Sequence, residues 1–374
     1  MQKKPYFYIA LALIIIGGFI IIYMLLDLNA SGWTVFGDEK IDLQTSANFG
    51  AYVGGFVGTL FSLAGFFLVI ASINEQKTAF IKERFESRFF EFVRFHRDNV
   101  TQLELHREIS NFTFRGKQVF KVIYDQFTEA YSELSDYFAT LPDKDLAPAS
   151  IYLSDYYQFL QNNTHLPDRS EVRLKELAHI NICYLVVFFG LSKEGFRKID
   201  TLLKDKMNSS YYQPILQYLS MKPVLDSKFF NSWVVYQSFF KRGAIKELIT
   251  DYHQKRYYKY YGGHQFRLGQ YFRHLFQSIS FVDNRTEMLK GDRESYVKII
   301  RAQLSDYELV LFFINSLSFL GSEWEIGLNS FKRPGNTPRK FITTYHLIKN
   351  IPDSFLADTI DCKKYYPNVH YDFI

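Results

Sequence analysis

Two uncharged apolar stretches near the amino terminus decide what this chain can fold into. No charged side chain occurs from Tyr6 to Leu26, and none from Phe49 to Ile73. A helix needs about 20 such residues to cross roughly 30 Å of hydrocarbon, so each stretch is long enough to span a bilayer. A cleaved leader is the competing reading of the first. Its apolar run is too long for a leader core, and no small-x-small cleavage site follows the run before Asp27. We therefore expect an N-terminal two-helix transmembrane hairpin, with helices over residues 6–26 and 49–73 of a unit ending near 74.

Charge sets the expected orientation. The segment between the spans carries Asp27, Asp38, Glu39 and Asp42 against the single base Lys40. Lys3 and Lys4 precede the first span, and Lys77, Lys82, Arg84 and Arg88 follow the second. Because basic flanks stay on the cytoplasmic side, both termini should be cytoplasmic and the acidic loop outside. The second span also carries Gly50, Gly54, Gly58, Ser62 and Gly65. Steps of four and three keep these positions near one helical face, where missing bulk lets another helix approach to backbone contact. That stripe could seat the first helix or drive self-association into a homo-oligomer. Val57 falls on the opposite face by the same count.

Past the membrane the period is helical. Phe85, Phe89, Phe92, His96, Val100 and Leu103 recur at helical spacing among charged residues, which predicts an amphipathic juxtamembrane helix over 75–110. Similar patterns over 119–138, 151–160, 171–191, 268–281 and 296–320 predict an all-α cytoplasmic domain over 111–320. Pro334, Gly335, Pro338, Pro352 and Pro367 predict an irregular segment over 321–374 that packs on it. Aromatics make up 18% of the chain, so Phe and Tyr must take much of the core usually filled by Leu and Val. The net charge of +5 is spread along the chain and suits nearby anionic lipid without specifying it. Cys183 and Cys362 are the two cysteines, far apart and without clustered His, so neither a disulfide framework nor a metal site is expected.

Familiar catalytic patterns are absent from the sequence: there is no GxxxxGK[ST], GxGxxG, GxSxG or HExxH. We expect no cofactor and no enzymatic activity. One catalytic alternative survives. Helical ribonucleases of the HEPN class pair an Arg with a His a few residues downstream, and Arg173 with His179, or Arg267 with His274, fits that spacing. The polar residue usual after the Arg is replaced by Leu174 and Leu268. Lys255, Arg256, Tyr257, Tyr258, Lys259 and Tyr260 interleave bases with aromatics, as single-stranded nucleic-acid or partner surfaces do. Tyrosines tucked against a helical core would give the same pattern.

Several segments resemble one family. They are Gly269-Gln-Tyr-Phe-Arg-His-Leu275, Phe281-Val-Asp283, Ile300-Arg-Ala-Gln-Leu-Ser-Asp-Tyr-Glu308, Asn315-Ser-Leu-Ser318 and Tyr345-His-Leu-Ile-Lys-Asn350. Together with the two apolar spans they are similar to phage abortive-infection proteins of the AbiC type. They are also similar to the two-span membrane effectors carried beside reverse transcriptases in retron units. The resemblance implies a bacterial inner-membrane protein of antiviral defence that acts on a phage-derived or partner trigger, such as a reverse transcriptase–nucleic-acid complex. It implies no catalytic residues. A non-toxic receptor or scaffold remains a further reading.

Within those segments Arg301, Ser305 and Glu308 share one face if 296–320 is a single helix. Gln270 and Arg273 stand on the preceding helix. Two such faces packed together would make a polar network, with Arg273 paired to Glu308, serving either as an interhelical clasp or as a trigger site.

The topology is testable by labelling. In intact cells of a chain whose native cysteines are replaced, a single cysteine between Asp27 and Gln44 should react with an impermeant maleimide. A cysteine at the C-terminus should stay protected. The reverse pattern would overturn the orientation.

Overall fold

The structure is a computed structural model. It describes residues 5–30, 43–107, 112–140, 147–163, 171–220, 261–286, 288–325, 339–352, 355 and 360–372. The described chain is mostly helical and divides into two compact units, Met1–Phe90 and Glu91–Ile374.

The first unit holds α1 (Pro5–Ala30), α2 (Leu43–Tyr52), a π-helical turn (Val53–Val57) and the start of α3 (Gly58–Thr101). Two of its helical stretches are long and apolar enough to cross a membrane: Pro5–Ala30, and the apolar part of Ser46–Thr101. The second expected span is thus not one regular helix. A π turn interrupts it where Gly54 and Gly55 stand side by side, the residues that least resist a widened backbone. Tyr6 stacks on Phe67 at 6.3 Å between ring centroids, and Ala10, Val57 and Ala64 are buried. A Cβ on Gly17 would lie 2.5 Å from the Phe61 ring, so the bare Gly17 backbone forms the hole that Phe61 fills.

That seam corrects the seating role allowed for the glycine stripe. A Cβ at Gly50, Gly54 or Gly65 would meet nothing within 4 Å, and at Gly58 only the carbonyl of Val53 at 3.7 Å. Within the described chain the stripe seats nothing, and α1 docks on a different face. Val57 is not a free position opposite the stripe, being 1% exposed and part of the seam. The hydroxyls of Thr59 and Ser62 donate to the carbonyls of Gly55 and Gly58 one turn back, so neither needs water.

The amphipathic helix ends earlier than expected. α3 stops at Thr101, and a hairpin follows, β1 (Glu104–Arg107) antiparallel to β2 (Phe112–Arg115) with Glu104 opposite Arg115. This two-stranded sheet is a small addition to a described chain that is otherwise mostly helical, as expected. Phe112, Thr113 and Phe114 favour strand, and Arg115 Nε to Glu104 Oε1 at 2.9 Å and His106 Nδ1 to Thr113 Oγ1 at 3.0 Å join the strands.

The second unit is built on three mutually packed helices: α4 (Lys117–Thr140), α7 (Glu171–Phe189) and α12 (Asp306–Leu317). Between α4 and α7 lie α5 (Pro148–Ile151) and α6 (Ser154–Asn163), and α8 (Lys193–Leu203) and α9 (Ser209–Ser220) follow. Ala178, Ile182, Cys183, Tyr184, Val186 and Val187 of α7 are all fully buried, as is the run Val310–Ile314 of α12. Helices apolar on every side belong at the centre. Gly190 ends α7 at φ 75°, where a Cβ would lie 2.6 Å from the Tyr261 carbonyl. The region read as one helix over 296–320 is two, α11 (Lys290–Arg301) and α12, after α10 (Gln265–Asp283). The aromatic surplus fills the core: Trp324 meets Phe276 at 5.0 Å, Phe312 at 4.7 Å and Phe341 at 6.4 Å. The segment after 321 contributes α13 (Phe341–Tyr345) and α14 (Cys362–Tyr365) between turns, with Ile348 and Tyr366 buried.

Gly17→Leu should push α1 off Phe61, whereas Gly54→Leu should leave the seam intact. Disulfide cross-linking of Tyr6→Cys with Phe67→Cys in membranes reads this directly. The yield should fall only in Gly17→Leu, and equal yields in both would refute the seam.

Candidate functional site

The helices α10 to α13 gather their polar side chains in one layer, and Glu308 is its centre. A short loop between α11 and α12 lets Ser305 cap α12 and brings Glu308 into its first turn, a capping-box arrangement. The carboxylate is fully buried. Its Oε2 accepts from the Ser305 N–H at 2.9 Å and the Ser305 hydroxyl at 2.5 Å, and its Oε1 accepts from the Tyr271 hydroxyl at 3.0 Å. Lys117 Nζ stands 3.9 Å away and also donates to the Gln303 carbonyl at 3.0 Å. A negative group at a helix N-terminus is favoured by the helix dipole, and here it also receives three neutral hydrogen bonds.

This geometry redraws the expected network. Arg301, Ser305 and Glu308 do not share one helix, and Arg273 is not the partner of Glu308. Exposed Arg273 donates from Nε to the Gly269 carbonyl on its own helix at 3.3 Å, while Gln270 reaches Asn99 at 3.5 Å. Arg301 instead turns to the C-terminal segment, its Nη1 donating to the carbonyls of His346 at 2.9 Å and Tyr345 at 3.4 Å. Those contacts hold the left-handed turn at His346, φ 48°. The Tyr345 hydroxyl donates to Asp283 Oδ1 at 2.7 Å, linking α13 to α10. Buried Glu325 accepts from the Ile342 and Thr343 N–H groups at 3.1 and 3.2 Å, anchoring the start of α13. Burial raises the Glu325 pKa, and these donors oppose the rise.

On the other side of Tyr271 lies a second cluster. His96 stands 5.1 Å from Tyr271 and 6.1 Å from His274, and His274 stands 5.8 Å from Phe92, all between ring centroids. All four imidazole nitrogens are shielded and meet no hydrogen-bond partner among the described residues. Burial, then the charges of His274 and Lys117, hold the His96 pKa down at about 4. Burial lowers His274 as well. His96 appears in the sequence only as one member of an amphipathic row.

Arg267 is engaged away from His274. Arg267 Nε donates to the Glu104 carbonyl at 2.8 Å, and His274 lies seven residues on, about 10 Å along the helix. His179 is stacked on Tyr131 at 4.0 Å, and burial lowers its pKa to about 3. Arg173 falls in the first turn of α7. The stretch Lys255–Tyr260 lies outside the described residues. Among the described residues no three His, Cys, Asp or Glu gather into a metal-binding group.

The clasp has a direct energetic test. Tyr271→Phe should cost about 1–3 kcal/mol, because it leaves a buried carboxylate oxygen unpaired. A double-mutant cycle of Tyr271→Phe with Glu308→Gln, read by denaturant unfolding, should show coupling of about 0.5–3 kcal/mol. Arg273→Ala with Glu308→Gln should be additive. Coupling in the second pair and none in the first would reverse the assignment.

Residues 263–356 match a family described as "Putative phage abortive infection protein". That stretch, about a quarter of the chain, contains α10 to α13 with Tyr271, Arg301, Ser305, Glu308 and Glu325. Among curated proteins and solved structures nothing matches the chain. The match supports a general role in antiviral defence for this chain, and it falls on the polar layer.

Proposed function

We propose that this protein is a membrane-anchored effector of antiviral defence that, once triggered during infection, permeabilises the membrane holding it and so stops the cell. The observation that carries the reading is the bare apolar surface of the first unit. Only 11% of the apolar window of each long helix is buried within the structure. A core helix of a water-soluble domain would be mostly covered, so lipid is the natural partner of these surfaces. The anchor is a multi-pass hairpin in the bacterial inner membrane with both termini cytoplasmic, as the flanking charges favour.

Self-association is the second part of the proposal. The open glycine stripe of Gly50, Gly54, Gly58 and Gly65 offers a smooth face in lipid, where close packing rather than hydrophobicity drives helices together. The trigger acts on the second unit through the layer around Glu308. Its chemistry follows the retron resemblance, a complex of protein and nucleic acid. No catalytic step is assigned. What supports that choice is the engagement of Arg267 by a backbone carbonyl and the stacking of buried His179 on Tyr131, neither of which favours phosphate chemistry.

Infected cells carrying the protein should lose membrane potential while their RNA stays intact. Gly54→Leu should reach the membrane in equal amount, since Leu is favourable in the bilayer core, and should lose depolarisation. Leu63→Phe, at an exposed position off the stripe, should behave as the parent. RNA fragmentation ahead of depolarisation would replace this reading with the ribonuclease one.

A further inference from the structure

The paired histidines have no part in the proposed function, yet their environment is unusual. His96 projects from α3, inside the second unit, and His274 from α10 within the family-matched stretch. His96 is 3% exposed, and neither ring finds a hydrogen-bond partner among the described residues. A buried imidazole without partners is tolerable only while neutral, because a charge there would be neither hydrated nor paired.

We propose that His96 and His274 form a proton-operated clasp: with both rings neutral, residues 91–101 of α3 stay packed against α10, and protonation of either ring releases that contact. The groups around the pair all favour this outcome. From α10 come His274 itself and the Tyr271 hydroxyl, and from α4 comes the Lys117 ammonium, a fixed positive charge. From α3 comes Asn99, which is occupied by Gln270. Glu308 of α12 is the nearby carboxylate, reached through Tyr271, and both its oxygens already accept hydrogen bonds. Once one ring is charged, the other ring and Lys117 repel it, and among the described residues no hydrogen-bond partner draws it in. A metal does not fit the pair as well, since no third donor of metal-binding type joins it among the described residues.

The sign follows from the direction of the shift. His96 has a folded pKa below its ordinary value. Its contribution to the closed form is therefore complete above about pH 6.5 and is lost as the pH falls from there towards 4. The device would register acidification of the compartment facing the second unit, and it needs no killing activity to be true or false.

Hydrogen exchange of the full chain in phosphatidylethanolamine–phosphatidylglycerol nanodiscs tests it, with labelling times scaled for the chemical effect of pH. Between pH 7.5 and pH 5, peptides covering 91–101 and 265–283 should lose protection on the order of tenfold, while 306–317 should not. His96→Leu, and separately His274→Leu at the less enclosed position, should flatten that dependence. Exchange of the histidine C2 hydrogens, read in the same samples, should place His96 well below 6.5. Unchanged protection in the parent, equal loss in both Leu variants, or a His96 titrating at its ordinary value would each overturn the clasp.

Discussion

A buried carboxylate imposes order on the second unit. Glu308 has no contact with water, so the protein must supply its partners, and these come from three places in sequence. Ser305 supplies the turn that starts α12, Tyr271 ties α10 to it, and Lys117 brings the first residue of α4 within 3.9 Å. A buried charge is poor evidence of stability for its own sake, because desolvation offsets much of the attraction. Its effect here is on specificity. The register of α10 against α12 that places Tyr271 on the carboxylate is accompanied by Tyr345 on Asp283 and Arg301 on the turn at His346.

The apolar core and the polar layer divide the work. Helices α7 and α12 are buried nearly all round, which gives adhesion without direction. Direction comes from single polar groups set into that core. Asn181 joins the Leu317 carbonyl and the Phe319 N–H, and Asn315 joins Tyr184 to Trp324. Gly321 sits where a Cβ would fall 2.1 Å from the Asn315 carbonyl, so the chain can turn there only without a side chain.

In the first unit the same question is settled without polar groups. Apolar burial is non-directional, so the docking of α1 depends on shape. Gly17 receives Phe61, and Ala10 and Ala64 are small enough to lie in the seam. The glycine stripe beside that seam stays open within the described residues.

The apolar runs, their lengths and their flanking charges are local properties, and they marked both long helices from the sequence. The helical period did the same for α4, α7 and α10, since a repeat of 3.6 needs no partner to be visible. The capping box of Ser305 and Glu308 was also written in the sequence. It lay inside a longer apolar period that masked the break between α11 and α12, and the strand alternation at Phe112–Arg115 was hidden by the end of the amphipathic row. What no local pattern carries is which face meets which. Arg273 and Arg301 stand at equally plausible spacings, yet one is solvated and the other holds the C-terminal turn. Gly17, unremarked among bulky residues, makes the seam that the conspicuous stripe does not. His96 becomes a buried orphan only because α3 and α10 bring it against His274. Sequence determined the elements and the solvent each must meet, while the pairing of faces, and with it every candidate site, was decided by tertiary packing, because contacts between residues far apart in the chain leave no periodicity.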